Sequence, residues 1–251
     1  MLDIIFLSII QGITEFLPVS SSAHLVLFSK YFNLNNGSLS LDMSLHLGSL
    51  LAILFYFKKD LLNFVNNKVL FSKIILSSIP VIIIGFLLIY FNLINYLRSY
   101  KVIGWATIFF GIVLYFSDKF KINRKIIKDF KYRYAFYIGL FQALSLIPGV
   151  SRSGITITAA RFLNFNRVDS AKISFLISIP TLCAVSLYNL QDLIFKKNLE
   201  LSLLNFLGIF LAFIFSYLTI KVFIQFVEKF SLLPFVIYRI ILGFIIIIYA
   251  Y

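Results

Sequence analysis

The sequence is poor in charged residues and in cysteine. Asp, Glu, Lys and Arg make up 13% of its 251 residues, whereas 61% are hydrophobic, and the mean hydropathy is +0.97. A water-soluble globular protein cannot bury that much apolar side chain, so this class is excluded. The single cysteine, Cys183, can form no internal disulfide and is interpreted as a small core residue. The composition therefore predicts an integral membrane protein.

Long apolar runs are what the sequence has in abundance. The alternation of apolar and polar residues that is typical of membrane strands is absent, so each run is predicted to be a helix. No basic residue precedes Lys30, which argues against a cleavable signal peptide, and the apolar N-terminus is expected to stay in the mature protein. The predicted spans are residues 41–57, 74–91, 102–116, 173–190, 203–220 and 232–251.

The net charge of +13 is concentrated in loops between the predicted spans. One basic cluster lies between residues 119 and 133, and a second lies between residues 58 and 73. When the loops alternate across the six spans, most of the Lys and Arg residues fall on one side, which the positive-inside rule assigns to the cytoplasm. We therefore expect membrane lipids, and no nucleic acid, as partners of these loops.

Two copies of a short motif divide the chain. Residues 11–23 read QGITEFLPVSSSA, and residues 142–154 read QALSLIPGVSRSG. The identities in the ungapped alignment are Gln11 with Gln142, Val19 with Val150, Ser20 with Ser151 and Ser22 with Ser153. The copies differ where chemistry is expected, because the first carries Glu15 and is followed by His24, whereas the second carries Arg152.

The number of spans between the copies predicts the architecture. Three predicted spans separate them, and an odd number requires hairpins built on the two motifs to enter the membrane from opposite sides. The predicted fold is an all-α integral membrane protein with about six transmembrane helices plus two re-entrant helical hairpins arranged as inverted repeats. The predicted repeats are residues 1–125 and 126–251 of one membrane domain, with hairpins at residues 1–31 and 134–165.

Each hairpin is predicted to bend at a proline, Pro18 in the first and Pro148 in the second. Proline followed by serines is typical of a helix start, where hydroxyls and backbone N–H groups are free to bind. The alternative is an ordinary proline-kinked span whose serines bond back to the backbone. The hairpins are favoured because Glu15, His24 and Arg152 would each cost roughly 2.5–3.5 kcal/mol or more in lipid unless paired or wet. In inverted repeats with broken helices, such groups indicate a binding site near the midplane.

The spacing of the polar residues indicates how they cooperate. Gln11 and Glu15 lie four residues apart and share a helix face, while Ser20 and Ser21 precede His24 by four and three residues. In the second motif a guanidinium stands among hydroxyls at a helix start, which is typical of a phosphate site. The candidate diphosphate-binding residues are Gln11, Ser20, Ser22, Ser151, Ser153 and Thr156.

The combination of side chains predicts chemistry as well as binding. A carboxylate, an imidazole, hydroxyls and a guanidinium at one anion site indicate phosphoryl transfer. Because a carboxylate repels a bare phosphate, Glu15 implies a divalent cation and is its candidate ligand. Mg²⁺ suits the site, since one or two carboxylates plus substrate oxygens typically hold it, and Ca²⁺ is the alternative.

At these residues the chain resembles the undecaprenyl-diphosphate phosphatases of the bacitracin-resistance type. Residues 11–25, QGITEFLPVSSSAHL, are similar to the first signature of that family, and residues 148–156, PGVSRSGIT, are similar to the second. The resemblance extends over essentially the whole chain. Gln11 stands where many members have a second glutamate, which leaves a metal fewer carboxylates, and Ala23 stands where glycine is usual.

The resemblance implies hydrolysis of a polyprenyl diphosphate, usually a C55 lipid, to the monophosphate and phosphate. This reaction recycles the carrier for peptidoglycan synthesis and confers bacitracin resistance. The resemblance also implies a bacterial inner-membrane protein with its site open to the outer face, and it leaves a homodimer open. It implies that Glu15 binds metal or acts as base, that His24 assists proton transfer, that Ser21 is nucleophile or phosphate ligand, and that Arg152 clamps the phosphates.

Three alternatives stay open at this point. The nucleophile is Ser21, Ser20, His24 or a metal-bound water, because spacing does not choose among them. A transporter or flippase for a polyprenyl phosphate lipid is the second functional hypothesis, since inverted repeats are transporter architecture. The pair of Glu15 and His24 favours the enzyme. A phosphatidic-acid-type phosphatase is disfavoured, because that chemistry needs two histidines with acidic support and the chain has only His24 and His46.

Two further polar residues lie within predicted spans. His46 is interpreted as an interhelical hydrogen-bonding residue in preference to a site residue. Arg239, near the start of the last span, is interpreted as an interfacial or interhelical anchor.

Overall fold

The computed structural model of the chain describes residues 2–31, 39–66, 68–120, 124–195 and 203–250. These residues fold as the predicted all-α integral membrane protein, and their one β-type contact is an isolated bridge between Arg124 and Phe165. A short 3₁₀ turn, Leu144–Leu146, supplements the α-helices. The α-helices are α1 Leu2–Thr14, α2 Ser21–Tyr31, α3 Leu39–Tyr56, α4 Lys58–Asn66, α5 Lys68–Tyr90, α6 Ile94–Leu97, α7 Tyr100–Asp118, α8 Ile126–Asp129, α9 Tyr132–Ala143, α10 Arg152–Phe162, α11 Arg167–Phe195, α12 Leu203–Lys229 and α13 Leu233–Ala250.

Each of the six predicted spans is a helix, namely α3, α5, α7, α11, α12 and α13. Five of them have stretches long and apolar enough to cross a membrane. In α3 the apolar part among the described residues is Met43–Tyr56, which is shorter than a full span. The prediction of about six spans therefore holds for five helices, and the sixth helix is present with a shorter apolar stretch.

The polar residues of α3 explain its shorter apolar stretch. Ser44 and Ser49 are fully buried within the protein, and His46 is partly buried between them. Ser49 is also hydrogen-bonded to Ser216 of α12, with 3.0 Å between the two hydroxyl oxygens. These side chains face neighbouring helices rather than lipid, so α3 can carry them at lower cost than a lipid-facing helix could.

Both motif segments are broken helices, as predicted. The first break separates α1 from α2 and contains Pro18, and the second separates α9 from α10 and contains Pro148. At the second break Gly149 has a φ of +97°, a backbone conformation that residues with a side chain rarely adopt. A Cβ at Gly149 would also overlap the carbonyl oxygen of Ile103 in α7. The opposite membrane entry of the two hairpins, and the division into two repeats, stay predictions.

The first helix of each hairpin packs against a span from the other half of the chain. Helix α1 packs on α12, and helix α9 packs on α5. Both contacts are close at a glycine: a Cβ at Gly12 would lie 2.6 Å from Cβ of Phe215, and one at Gly139 would lie 2.5 Å from the carbonyl oxygen of Ser77. Small residues at such contacts are typical of helix pairs in membranes, because they let the backbones approach.

Asp118 ties together the ends of four helices. Its carboxylate accepts hydrogen bonds from Arg167 Nε at 2.7 Å and Nη2 at 3.0 Å, and it lies 3.3 Å from Nη2 of Arg161. The backbone N–H of Leu232 donates to the same carboxylate at 3.0 Å. The network joins the end of α7 to α10, α11 and the start of α13, and it lies outside the motif residues.

Candidate active site

Glu15 is the first residue after α1, so its side chain begins the turn of the first hairpin. Its backbone N–H still donates to the carbonyl of Gln11 at 3.0 Å, which keeps it aligned with the helix. The next residue, Phe16, is fully buried and packs edge-on against Phe175 of α11, with ring centroids 5.4 Å apart. This packing anchors the turn and fixes where the Glu15 carboxylate points.

Glu15 and Arg152 form an ion pair between the two motifs, with 2.9 Å between Oε1 and Nη2. The other carboxylate oxygen accepts hydrogen bonds from Gln11 Nε2 at 3.0 Å and Ser21 Oγ at 3.2 Å. Glu15 is 8% exposed, so the pair is largely withdrawn from solvent. Three of the residues predicted from sequence therefore converge on the carboxylate of a fourth, Glu15, and the four come from both copies of the motif.

Two more hydrogen bonds hold the motif turns against each other. Ser153 donates from Oγ to the carbonyl oxygen of Leu17 at 2.7 Å. The backbone N–H of Gly149 donates to Oγ of Ser22 at 3.3 Å. The predicted residues Ser22 and Ser153 thus lie at the contact between the turns, where they fix the distance between Glu15 and Arg152.

The second turn presents a helix start and a partly free guanidinium. Oγ of Ser151 accepts from the backbone N–H of Gly154 at 3.1 Å, which caps α10, and it lies 3.2 Å from Oγ of Ser153. Arg152 is the first residue of α10, and its Nη1 is buried without a hydrogen-bond partner among the described residues. A buried guanidinium nitrogen at a helix N-terminus is suited to an anionic oxygen.

His24 is hydrogen-bonded through both ring nitrogens. Nδ1 lies 2.7 Å from the carbonyl oxygen of Ser20, and Nε2 lies 2.5 Å from the hydroxyl of Tyr238 in α13. The two rings are nearly parallel, with an interplanar angle of 3° and centroids 5.6 Å apart. A carbonyl oxygen can only accept, so Nδ1 carries the proton and Nε2 accepts from Tyr238 in the neutral imidazole. The described contacts include no hydrogen bond from His24 to Glu15 or Arg152.

Two of the predicted phosphate-binding hydroxyls have local partners. Oγ1 of Thr156 donates to the carbonyl of Arg152 at 2.8 Å and lies 2.7 Å from Oγ of Ser174 in α11. Oγ of Ser20 lies 3.2 Å from Oγ of Ser22. The structure therefore places Thr156 in a contact between α10 and α11, and places Ser20 within its own turn.

Gln11 joins Glu15 to His46. Its Nε2 lies 3.0 Å from Oε2 of Glu15 and 3.1 Å from Nδ1 of His46 in α3. The interpretation of His46 as an interhelical hydrogen-bonding residue is confirmed, and its partner is a residue of the predicted site. The aligned Gln142 donates instead to the carbonyl of Ser77 at 3.4 Å, so only the first glutamine contacts the carboxylate.

Arg239 is an interhelical anchor, as predicted, and it acts directly on the second turn. It is fully buried in α13 and donates from Nε to the carbonyl of Thr107 at 3.2 Å and from Nη2 to the carbonyl of Gly149 at 2.9 Å. A Cβ at Gly154 would lie 2.7 Å from Nη1 of Arg239, so glycine at this position leaves room for the guanidinium. The link between Arg239 and Gly149 joins residues far apart in the chain and was not predicted.

Tyr238 was also missed by the sequence analysis. It is one of 14 tyrosines, it lies in an apolar helix, and no spacing relates it to His24. The one local signal is its position beside Arg239, the single basic residue of that helix. Its hydroxyl bond to His24 is visible only once the helices are packed.

The site is compatible with a cation held mainly by substrate. Among the described residues, no group of three or more His, Cys, Asp or Glu side chains gathers to hold a metal. Glu15 provides one carboxylate, and Oε1 of Gln11 is a buried oxygen without a hydrogen-bond partner in the described part of the chain. One carboxylate and one amide oxygen fit Mg²⁺, whose remaining positions are usually filled by phosphate oxygens and water.

Comparison with known proteins places the chain in a family. A family model described as bacitracin resistance protein BacA matches residues 4–245. A protein of Pelagibacter ubique named undecaprenyl-diphosphatase is 51% identical over all of this chain and 98% of its own length. Proteins of the same name from Campylobacter curvus and Saccharophagus degradans are 43% and 40% identical, each over 96% of this chain and 95% of their own length. The chain belongs to the bacitracin resistance protein BacA family.

Proposed function

We propose that this chain is an integral-membrane phosphatase that hydrolyses undecaprenyl diphosphate to undecaprenyl phosphate and inorganic phosphate. The observation that carries the proposal is the buried ion pair of Glu15 and Arg152, which joins the two motifs at 2.9 Å. The relatives named undecaprenyl-diphosphatase support the same substrate class. A phosphate-binding arginine paired with a carboxylate suits hydrolysis better than transport, because anion binding alone gains little from a carboxylate.

Arg152 and the start of α10 bind the diphosphate in this proposal. The free Nη1 of Arg152 takes a phosphate oxygen, and the backbone N–H groups at the helix start add further donors. Incoming phosphate competes with Glu15 for the guanidinium. Glu15 and Oε1 of Gln11 are the groups that would hold a divalent cation, whose positive charge would offset the charge of the diphosphate.

Ser21 is the proposed nucleophile. Its hydroxyl donates to Glu15 at 3.2 Å, so the carboxylate can accept the hydroxyl proton as Oγ attacks the terminal phosphorus. The P–O bond to the lipid phosphate then breaks, which releases undecaprenyl phosphate and leaves phosphoserine. Glu15 then releases this proton to solvent and accepts another from the water that attacks the phosphoserine. The bond between Oγ and phosphorus breaks, Oγ of Ser21 takes the proton from Glu15, and inorganic phosphate leaves. Ser20 is less suited, because its hydroxyl is bonded to Ser22.

His24 assists proton transfer in this proposal, through Nε2 and the hydroxyl of Tyr238. Nδ1 is engaged with the Ser20 carbonyl, so Nε2 is the nitrogen that exchanges protons. A proton entering at Tyr238 can pass to Nε2 along the existing 2.5 Å contact. Protonation of the departing lipid phosphate is the step that this pair would serve.

The proposed location is the inner membrane of a bacterium, with the site open to the outer face. The five apolar helices support a multi-pass membrane protein, and the distribution of Lys and Arg supports the orientation. The product re-enters the supply of lipid carrier for peptidoglycan synthesis, which accounts for bacitracin resistance. A homodimer stays a prediction.

The test is phosphate release by the purified protein from undecaprenyl or farnesyl diphosphate, with added Mg²⁺ or with EDTA, alongside Glu15→Gln and Arg152→Ala. We expect release that depends on the cation and is lost in both variants. A folded protein that binds the lipid without releasing phosphate would exclude the enzyme and favour a lipid transporter.

A further inference from the structure

His46 contacts the candidate site from outside the two motifs. It lies in α3, whose apolar part is the shortest among the six predicted spans, and its Nδ1 is 3.1 Å from Nε2 of Gln11. The same amide nitrogen is 3.0 Å from Oε2 of Glu15. One amide group therefore bridges a histidine of one helix and the carboxylate that pairs with Arg152.

The direction of these bonds follows from the chemistry of the amide. The carboxylate of Glu15 only accepts, so it must face the amino end of the Gln11 side chain. That amino group has two N–H bonds, and the second points to Nδ1 of His46. Nδ1 must then be an acceptor, which leaves the proton of the neutral imidazole on Nε2. The opposite amide orientation would set Oε1 against the carboxylate.

We propose that His46 is a positioning residue of the active site, which acts through Gln11 on Glu15. By accepting the second N–H, His46 holds the amide with its amino end toward Glu15 and leaves Oε1 of Gln11 to another ligand. Oε1 of Gln11 is buried and has no hydrogen-bond partner among the described residues, so it is available to a cation or a substrate. The consequence for activity rests on the proposed phosphatase function, whereas the hydrogen-bond arrangement does not.

The protonation pattern gives a test that needs no activity. The chain has two histidines, and the structure assigns them opposite tautomers: the proton is on Nδ1 in His24 and on Nε2 in His46. In ¹⁵N-histidine NMR of the detergent-solubilised protein near pH 8, His24→Gln leaves His46 as the single signal. We expect a proton coupled to Nε2 and none on Nδ1. A proton on Nδ1 of His46 would overturn the proposal.

Substitutions at His46 test its effect on hydrolysis. His46→Asn keeps an acceptor near the position of Nδ1, whereas His46→Leu removes it. We expect His46→Leu to lower kcat roughly tenfold, which is the effect of losing one hydrogen bond. His46→Asn should keep most of the kcat of the unmodified protein. In a Gln11→Leu background, His46→Leu should have no further effect, because the amide through which it acts is gone. Equal losses in the Asn and Leu variants, or additive losses with Gln11→Leu, would contradict the positioning role.

A matched control is available in the same helix. Ser49→Ala removes another buried interhelical hydrogen bond of α3, to Ser216, without touching the site. Its kcat should stay at the level of the unmodified protein. A loss equal to that of His46→Leu would show that any disturbance of the packing of α3 lowers activity, and it would contradict the positioning role. If the unmodified protein releases no phosphate, the proposed function fails while the tautomer measurement still decides the arrangement of His46.

Discussion

Ser20 and Ser151, which align between the two motifs, both have a positive φ, of 72° and 68°. Each hydroxyl lies 3.2 Å from the hydroxyl two residues later, Ser22 in the first turn and Ser153 in the second. The turns therefore share a positive φ and a contact between two serine hydroxyls, as well as a sequence. The first turn carries Glu15 and the second carries Arg152, so the two copies of the turn bear opposite charges.

The two aligned serines are expected to respond differently to alanine. Ser151→Ala removes the cap on the N–H of Gly154, which should cost about 1 kcal/mol of stability. Among the described residues, the partner of the Ser20 hydroxyl is Ser22 of its own turn, so Ser20→Ala should cost less. Thermal unfolding in detergent measures both, and an equal or larger loss for Ser20→Ala would contradict the capping assignment.

Glu15 and Arg152 are expected to act as a unit. Glu15→Gln and Arg152→Ala should each lower kcat/KM by roughly 10²-fold or more, because each leaves the other charge without its partner at the reacting phosphate. The double variant should lose little more than either single one. Arg152→Lys should rescue only part of the activity, because an ammonium cannot make the paired contacts of a guanidinium.

The control for Arg152→Lys is Arg167→Lys. Arg167 forms an ion pair of similar length, 2.7 Å, with Asp118 outside the motif residues. Phosphate release by this variant should match that of the unmodified protein.

Additive losses in the Glu15 and Arg152 double variant would indicate two independent sites rather than one pair.

Tyr238→Phe is expected to lower phosphate release by about tenfold, because it removes the hydroxyl that holds Nε2 of His24 while leaving the ring in place. His24→Gln should lower it by roughly 10²-fold, the scale of a lost proton-transfer group. Tyr249→Phe, an exposed tyrosine of the same helix, is the matched control and should keep full activity. Full activity in Tyr238→Phe would exclude a role for this hydroxyl.

Gly149→Ala is expected to damage both stability and activity. Its φ of +97° should cost an alanine about 1–2 kcal/mol, and the added Cβ would overlap the carbonyl oxygen of Ile103. Gly85→Ala is the control, since a Cβ there would meet nothing closer than Leu146 at 3.5 Å. Midpoints of thermal unfolding should fall for Gly149→Ala alone, and similar midpoints in the two variants would contradict the strained turn.

The sequence was informative where function depends on local pattern. The prolines at 18 and 148 mark the two helix breaks, and the spacing of Gln11 and Glu15 puts both on one helix face. The convergence of Glu15 and Arg152 was also predictable, because unpaired charges in apolar segments are costly and an opposite charge in the matching motif offsets that cost. These features follow from residue type and short-range geometry.

The contacts that were not predicted depend on how distant helices rotate against each other. Tyr238 reaches His24 across 214 residues, and Arg239 reaches Gly149 across 90. Neither pairing has a spacing rule, because the side chain that a membrane helix turns toward the site is set by packing. The shorter apolar stretch of α3 has a similar origin, since Ser44, Ser49 and His46 face protein rather than lipid.

The proposed orientation in the membrane leads to a final prediction, which the basic loops make testable. Lys128 lies in α8, within the connection between spans that is richest in Lys and Arg, and Arg98 lies before α7, on the other side of one predicted crossing. Both side chains are exposed, and Cys183 is the single native cysteine. In a Cys183→Ser background, Arg98→Cys should react with an impermeant maleimide in intact cells, whereas Lys128→Cys should react only after permeabilisation.

The reverse pattern would put the first motif on a hairpin from the cytoplasm and remove the argument for a site that opens outward. Phosphate release by the Cys183→Ser background is the control, because a side chain that is partly buried and outside the site should tolerate this change.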